Sequence, residues 1–230
     1  VWTGSGEIAV ESVAVTPAAE APFMLQGISV LSSSEPVNDG ERLDSRMTFE
    51  VAGVSTADER YGPQRLVFAL SGLDVAAWSN LTESLSSMQA LAITQASGGP
   101  QQFEQQMAAM QQVNAAVRDL AAAGFSVGFP ELTVTTPEGV IEGSARIAHP
   151  ELTADQKAEM LMVMQQLTGK MDLSLPVALA EEYPEFRLQL APLIKQGLLV
   201  EQGDSLVLDA SMKDLVLDVN GVEIPLPPLL

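Results

Sequence analysis

The chain has 230 residues, no cysteine, a single histidine and a formal net charge of −19 at pH 7. An acidic excess on this scale repels phosphate backbones, so nucleic acid is excluded as an expected partner. The lack of cysteine excludes disulfides and thiolate chemistry, and although 47% of the residues are apolar, no uninterrupted apolar run approaches the ~20 residues of a membrane span.

The N-terminal part of the chain is predicted to be all strand. Apolar and polar residues alternate in several short segments, which is the pattern of half-buried strands. Asn38-Asp39-Gly40 and Tyr61-Gly62-Pro63 are turn signals between them. The predicted strands cover 5–15, 23–32, 41–54 and 64–73.

Two helices are predicted over residues 75–124, joined by the breaker Ser97-Gly98-Gly99-Pro100, with Gly124 as the C-terminal cap. Apolar residues recur at steps of three and four in each helix, which places them on one face. In the first helix they are Trp78, Leu81, Leu85, Met88 and Ala92, and in the second Phe103, Met107, Met110, Val113, Val117 and Leu120.

Strands and helices alternate in the C-terminal half. A hairpin with one apolar and one polar face is predicted over 132–147, and a third helix follows, with Thr153 and Gln156 as its capping pair. The run 160–164 in that helix is apolar almost all round, which predicts burial. Further helices are predicted at 177–182 and 185–195, and strands at 171–175, 206–212, 215–219 and 222–226, the last two joined by Asn220-Gly221.

These elements predict a single α+β domain over residues 1–230. We expect a curved, mostly antiparallel sheet of about ten strands with four or five helices packed on its apolar face. A weak internal echo, in which a helix ends at Gly124 or Gly197 and two strands follow, suggests two helix-hairpin units. These pseudo-repeats would cover about 75–150 and 151–230, after an N-terminal strand region at 1–74.

Few side chains suit catalysis or metal binding. His149 stands alone, and an imidazole needs an orienting or ligating partner, so a structural role is expected. Adjacent acids such as Glu181 and Glu182 point in different directions on a helix. Asp209, Asp214, Asp218 and Glu223 are interpreted as solvent-facing residues of a sheet rather than a cation site. The sequence therefore predicts no catalytic residue, no metal, no cofactor and no enzymatic activity, with a carboxylate-and-metal enzyme as the least favoured alternative.

The methionines of the three longer helices are the feature that suggests a function. Methionine is flexible and polarizable, and it is frequent at adaptable apolar binding surfaces. The competing interpretation is an ordinary core of helices on a sheet. The hypothesis is a groove for an acyl chain or a partner helix, lined by Trp78, Leu85, Met88, Phe103, Met107, Met110, Met160 and Met164.

Three strings of residues carry a resemblance to a known family. They are Val37-Asn38-Asp39-Gly40-Glu41-Arg42-Leu43-Asp44-Ser45, the stretch from Gly72 to Trp78, and Val219-Asn220-Gly221-Val222-Glu223-Ile224-Pro225-Leu226. Together they resemble the C-terminal half of the YdgA-like family of bacterial envelope proteins, whose function is unknown. The resemblance implies a preceding half with an N-terminal signal-anchor helix outside this chain, which would hold this portion in the periplasm at the inner membrane.

The leading hypothesis is therefore a non-enzymatic periplasmic module of an anchored envelope protein. It would bind an apolar small molecule, such as an acyl chain or lipid, or an envelope protein. Its membrane contact would be only through the anchor, and no oligomeric state is predicted. The alternative is a structural assembly scaffold that acts through dimerisation or sheet-edge pairing.

Overall fold

The computed structural model describes residues 3–17, 21–94, 100–153, 156 and 160–227, without the side chains of 91–94, 100–103 and 160–162. The breaker residues 97–99 lie outside this part. The helices are α1 (Val75–Thr94), α2 (Pro100–Ala122), α3 (Met160–Gln165), α4 (Val177–Glu182) and α5 (Pro184–Lys195). The strands are β1 (Gly4–Val15), β2 (Phe23–Val37), β3 (Arg42–Ser55), β4 (Arg60–Tyr61), β5 (Gln64–Asp74), β6 (Phe125–Thr136), β7 (Gly139–His149), β8 (Thr168–Pro176), β9 (Val200–Gln202), β10 (Ser205–Lys213), β11 (Val216–Val219) and β12 (Val222–Pro225).

All twelve strands belong to one sheet. Its order is β1-β2-β3-β5-β6-β7-β8-β10-β11-β12, with β4 paired to β3 and β9 paired to β10. Every pairing is antiparallel, which confirms the predicted antiparallel sheet. Asn220 and Gly221 join β11 to β12 with φ of 50° and 84°, the left-handed pair that a tight hairpin turn requires.

The register gives the sheet one apolar and one polar face. Residues directly opposite each other on antiparallel strands project to the same side. One row across eight strands is apolar apart from a single glycine: Ile8, Val30, Phe49, Leu66, Leu132, Gly143, Leu173 and Leu208. We call this side the apolar face and the opposite side the polar face. A row on the polar face reads Ser29, Glu50, Arg65, Thr133, Glu142 and Ser174.

Among the described residues, the main helical cover of the apolar face lies at its C-terminal end, and α3 covers the end of β7 at His149. At the C-terminal end α4 and α5 pack over β8 and β10, and they form a core of buried residues, which are Leu175, Ala180, Leu190, Leu199 and Leu206. A second, smaller core joins the end of α2 to α3 through Ala122, Leu152 and Val163. The first core therefore lies over β8 and β10, and the second lies at the C-terminal end of α2.

The predicted fold class is wrong in how the helices are placed. The molecule is a large open antiparallel sheet, and helices do not form a layer across its apolar face. Helices α1 and α2 contact chiefly each other, along a seam in which Leu81, Ala109 and Ala116 are buried. Each helix does have an apolar stripe, but periodicity does not reveal which surface the stripe packs against. Small alanines allow the two helices to pack closely on each other.

The capping signal at Gly124 is confirmed, whereas only one of the two hydrogen bonds expected of the Thr153 and Gln156 pair is present. Gly124 has φ of +82° and follows α2 as a C-terminal cap, and a Cβ there would lie 2.7 Å from the backbone nitrogen of Glu151. The side-chain oxygen of Gln156 accepts a 3.0 Å hydrogen bond from the backbone N–H of Thr153, which is half of a capping box. Helix α3 begins at Met160.

Candidate functional site

The open part of the apolar face, from β1 to β7, is the most unusual surface in the described chain. Large apolar side chains lie there without a covering layer: Phe49 is 39% exposed, Phe129 43% and Ile147 45%. The rings of Phe68 and Phe129 meet edge to face with centroids 5.5 Å apart. Monomeric soluble proteins rarely expose a contiguous apolar surface of more than a few hundred Å², and larger ones mark binding sites. This face is our candidate site.

The strand sequences explain why this face is apolar. Side chains alternate between the two sides of a strand, so Met47, Phe49 and Val51 on β3 project to the same side while Thr48 and Glu50 project to the other. The same alternation holds on β5 and β7, while on β6 an irregularity between Phe129 and Leu132 shifts its phase by one residue. Sequence reasoning found this pattern, but it assigned the apolar side to the interior beneath helices, so it missed the face as a surface.

The predicted groove residues are carried by three helices. Trp78, Leu85 and Met88 lie on α1, and Met107 and Met110 lie on α2. All five are partly exposed, with Met110 at 56% the most exposed of them. Met164 is half-buried on α3, while the side chains of Phe103 and Met160 lie outside the described residues. A continuous groove formed by all eight stays a prediction.

An exposed apolar stripe runs along one flank of the helical pair. Trp78 and Leu85 are seven residues apart on α1, as are Met110 and Val117 on α2, and all four are at least partly exposed. Residues seven apart lie nearly in line on a helix. The buried contact between the two helices includes Leu81 on α1 and Ala109 and Ala116 on α2. Relative to this contact, both pairs lie on the same side of the two antiparallel helices. The helical pair thus adds a second apolar surface to that of the sheet.

His149 has a structural role. Its side chain is 4% exposed, and its two ring nitrogens lie 2.7 Å from the backbone oxygens of Pro150 and Val163. Because Val163 belongs to α3, the imidazole ties the end of β7 to that helix. Both contacts are to backbone carbonyls.

Three of the four acids interpreted as solvent-facing residues of the sheet lie where the alternation predicts, and the fourth lies in a turn. Asp209, Asp218 and Glu223 project to the polar face, and Asp214 has φ of 52° in the turn after β10. Within the described residues there is no group of three or more side chains arranged to hold a metal ion. No helix in that part of the chain has both the length and the hydropathy to cross a membrane.

Ion pairs and hydrogen bonds engage some of the charged side chains on the sheet. The guanidinium of Arg65 pairs with Glu50 on one side and with Glu131, at 3.0 Å, on the other. Near the far end of β3, the hydrogen bond that the Tyr61 hydroxyl donates to the Glu59 carboxylate raises the pKa of this phenol above its ordinary value. These contacts explain how a sheet one layer thick tolerates water on its polar face.

The fold and the site define a class of protein: a large open antiparallel sheet whose apolar face is partly exposed in the described residues. By sequence the chain belongs to the DUF945 family, described as a bacterial protein of unknown function, and the match covers residues 1–227. No curated protein and no solved structure matches the chain. The membership confirms that the chain comes from a bacterial family of unknown function. The YdgA-like naming and the assignment to a C-terminal half stay predictions.

Proposed function

We propose that the chain is a non-enzymatic binding module whose open apolar face holds an elongated apolar ligand, such as the acyl chain of a lipid. The observation that carries this proposal is the apolar row from Ile8 on β1 to Leu132 on β6, with its large side chains only partly buried. A site for such a chain needs apolar area and shape, and it needs few polar groups.

The dimensions of the face fit this ligand. Neighbouring strands lie about 4.8 Å apart, so the five steps from β1 to β7 span about 24 Å. The hydrocarbon core of a bilayer is about 30 Å thick and consists of two leaflets, so one acyl chain covers about half of that. One whole acyl chain can therefore lie across the strands. Removing apolar area from water contributes roughly 25 cal/mol per Å² of favourable free energy. A bound acyl chain would therefore stabilise this face as a layer of helices would.

The proposed location is the periplasm, at the inner membrane, with attachment through a segment outside this chain. The support is the resemblance of the strings around Arg42 and Asn220 to the YdgA-like family. Fractionation of cells that express the full-length protein with a C-terminal tag tests the location. The tag is expected in the membrane fraction and should be accessible to protease only after the outer membrane is opened. A cytosolic tag would contradict it.

Lipid mass spectrometry of an organic extract of the purified protein tests the ligand. We expect acyl-chain compounds in a fixed ratio to protein, and saturable binding of a fluorescent fatty acid. Phe49→Asn is expected to weaken that binding about tenfold, since removing a buried aromatic contact costs of the order of 1–3 kcal/mol.

Thr48→Asn provides the matched control, because Thr48 is the neighbour of Phe49 on β3 and projects to the polar face. Its binding should equal that of the unaltered protein. A clean extract together with no fatty-acid binding would contradict the proposal, as would equal losses in the two variants.

The second candidate is a scaffold that acts through sheet-edge pairing, and one observation favours it. The edge strand β1 has twelve residues with no proline or lysine, whereas β12 at the other edge has four and ends at Pro225. Long edges without such protection are templates for pairing with another strand. Light scattering across a concentration series should then show a dimer that Ile8→Lys abolishes and Val222→Lys, on the opposite edge, does not. A monomer at all concentrations excludes the self-pairing form.

A further inference from the structure

A cavity of about 440 Å³ opens on the polar face and collects an unusual share of the chain's positive charge. Its lining includes Arg46, Arg146 and Lys170, with Asp172 as the only carboxylate. The whole chain has 11 Lys and Arg against 30 Asp and Glu, so three bases around one cavity depart strongly from the average charge. They lie far apart in sequence, on β3, β7 and β8, which is why sequence analysis did not bring them together.

The register leaves the floor of the cavity, between the basic residues, without long side chains. One row across the sheet reads Arg46, Ala69, Gly128, Arg146 and Lys170. At about 4.8 Å per strand, the backbones of Arg46 and Arg146 are about 14 Å apart. Only a methyl group and a glycine lie between them, so two long side chains can reach a single group from opposite sides.

Gly128 keeps this floor empty for a reason of backbone geometry. A Cβ at this position would collide with the carbonyl oxygen of Ala145 and lie 2.7 Å from the Cα of Arg146. No other residue fits here without moving β7. The cavity floor is therefore built into the pairing of β6 with β7.

The positive groups of the cavity are only partly neutralised. Arg146 donates a 2.6 Å hydrogen bond through Nε to the hydroxyl of Ser126, and Lys170 lies 3.4 Å from Asp172. In the described part of the chain, Arg46 makes no ion pair or side-chain hydrogen bond. Arg65, on the same face, is by contrast held between two carboxylates. Three bases around a single acid leave a net positive cavity, and the hydroxyls of Ser71 and Ser126 add hydrogen-bonding groups to its lining. The hydroxyl of Ser144 donates a 3.2 Å hydrogen bond to Asp172.

We propose that this cavity binds a phosphate group, with the guanidiniums of Arg46 and Arg146 on opposite sides of it. Guanidinium groups bind phosphate through paired, charge-assisted hydrogen bonds, which suits arginine for this role. The site lies on the opposite side of a single-layer sheet from the apolar face. Its occupation is independent of the proposed acyl-chain ligand, and either can fail without the other.

Calorimetric titration with inorganic phosphate tests the proposal. We expect saturable binding by the unaltered protein and a loss of about tenfold or more in affinity for Arg46→Gln and for Arg146→Gln, because each removes charge-assisted hydrogen bonds. Ala69→Leu should weaken binding as well, since it fills the floor and leaves every charge in place. Circular dichroism of each variant checks that it is folded.

Arg187→Gln is the matched control, since it makes the same change of charge at an exposed position on α5, and its affinity should stay the same. Vesicles of phosphatidylcholine with phosphatidylglycerol distinguish the source of the phosphate. Cosedimentation that depends on Arg46 indicates a lipid headgroup, and its absence alongside phosphate binding indicates a soluble phosphate compound. The proposal is overturned if neither probe binds, or if Arg187→Gln loses as much affinity as Arg46→Gln.

Discussion

Arg42 shows how a single side chain holds several elements together. Its guanidinium donates hydrogen bonds to the backbone oxygens of Gly72 at 2.9 Å and Gly124 at 3.0 Å, as well as to that of Ala123. It also forms a 3.0 Å ion pair with Glu151. The carbonyls at the end of α2 have no partner within the helix, and a cation there also complements the helix dipole. Arg42 therefore fixes the end of α2 against β3 and β5.

Replacement of Arg42 should be costly. The side chain is 15% exposed, so Arg42→Ala leaves several partly buried carbonyls without donors, at a cost of about 2–4 kcal/mol in the free energy of unfolding. Urea denaturation measures it. Glu151→Ala is the control, because that carboxylate is 71% exposed and such surface pairs contribute at most about 1 kcal/mol. Equal losses in the two variants would show that the ion pair, rather than the backbone contacts, matters.

The helical pair of α1 and α2 shows where an element's sequence informs and where it does not. The positions of both helices and the cap at Gly124 could be predicted, because periodicity and glycine conformation are local properties. The surface against which the stripes pack could not be predicted, because an apolar stripe fits a sheet or another helix equally well. The buried alanines, Ala109 and Ala116, were the available signal, since small residues permit close approach of two helices.

The seam of this pair gives a test at the scale of the element. Ala116 is 6% exposed, so Ala116→Leu should overpack the contact between α1 and α2 and lower the free energy of unfolding by about 1–3 kcal/mol. Met110→Leu, on the exposed flank of α2, should change it by less than about 0.5 kcal/mol. Thermal unfolding compares the two. An unchanged stability for Ala116→Leu would mean that the helices are not packed at this point.

At the scale of the whole molecule, the sheet separates two kinds of chemistry. Alternation along each strand, together with the register of the strands, puts Phe49, Phe129 and Ile147 on one side and Arg46, Arg146 and Lys170 on the other. The positions of many strands and turns could be expected from alternation and from signals such as Asn220-Gly221. The candidate phosphate site could not be predicted from the sequence, because only the register across several strands brings its residues together.

The central claim is that the apolar face between β1 and β7 is open and receives an apolar ligand. The chain has no cysteine, so Phe129→Cys introduces a single thiol on this face, and Glu142→Cys places one on the polar face of β7. Both can carry a spin label, and addition of palmitate tests the two positions side by side. We predict ready labelling at both, and a shift to lower mobility and lower polarity at position 129 alone. A thiol at 129 that resists labelling, or a label there that palmitate leaves unchanged, would contradict the account.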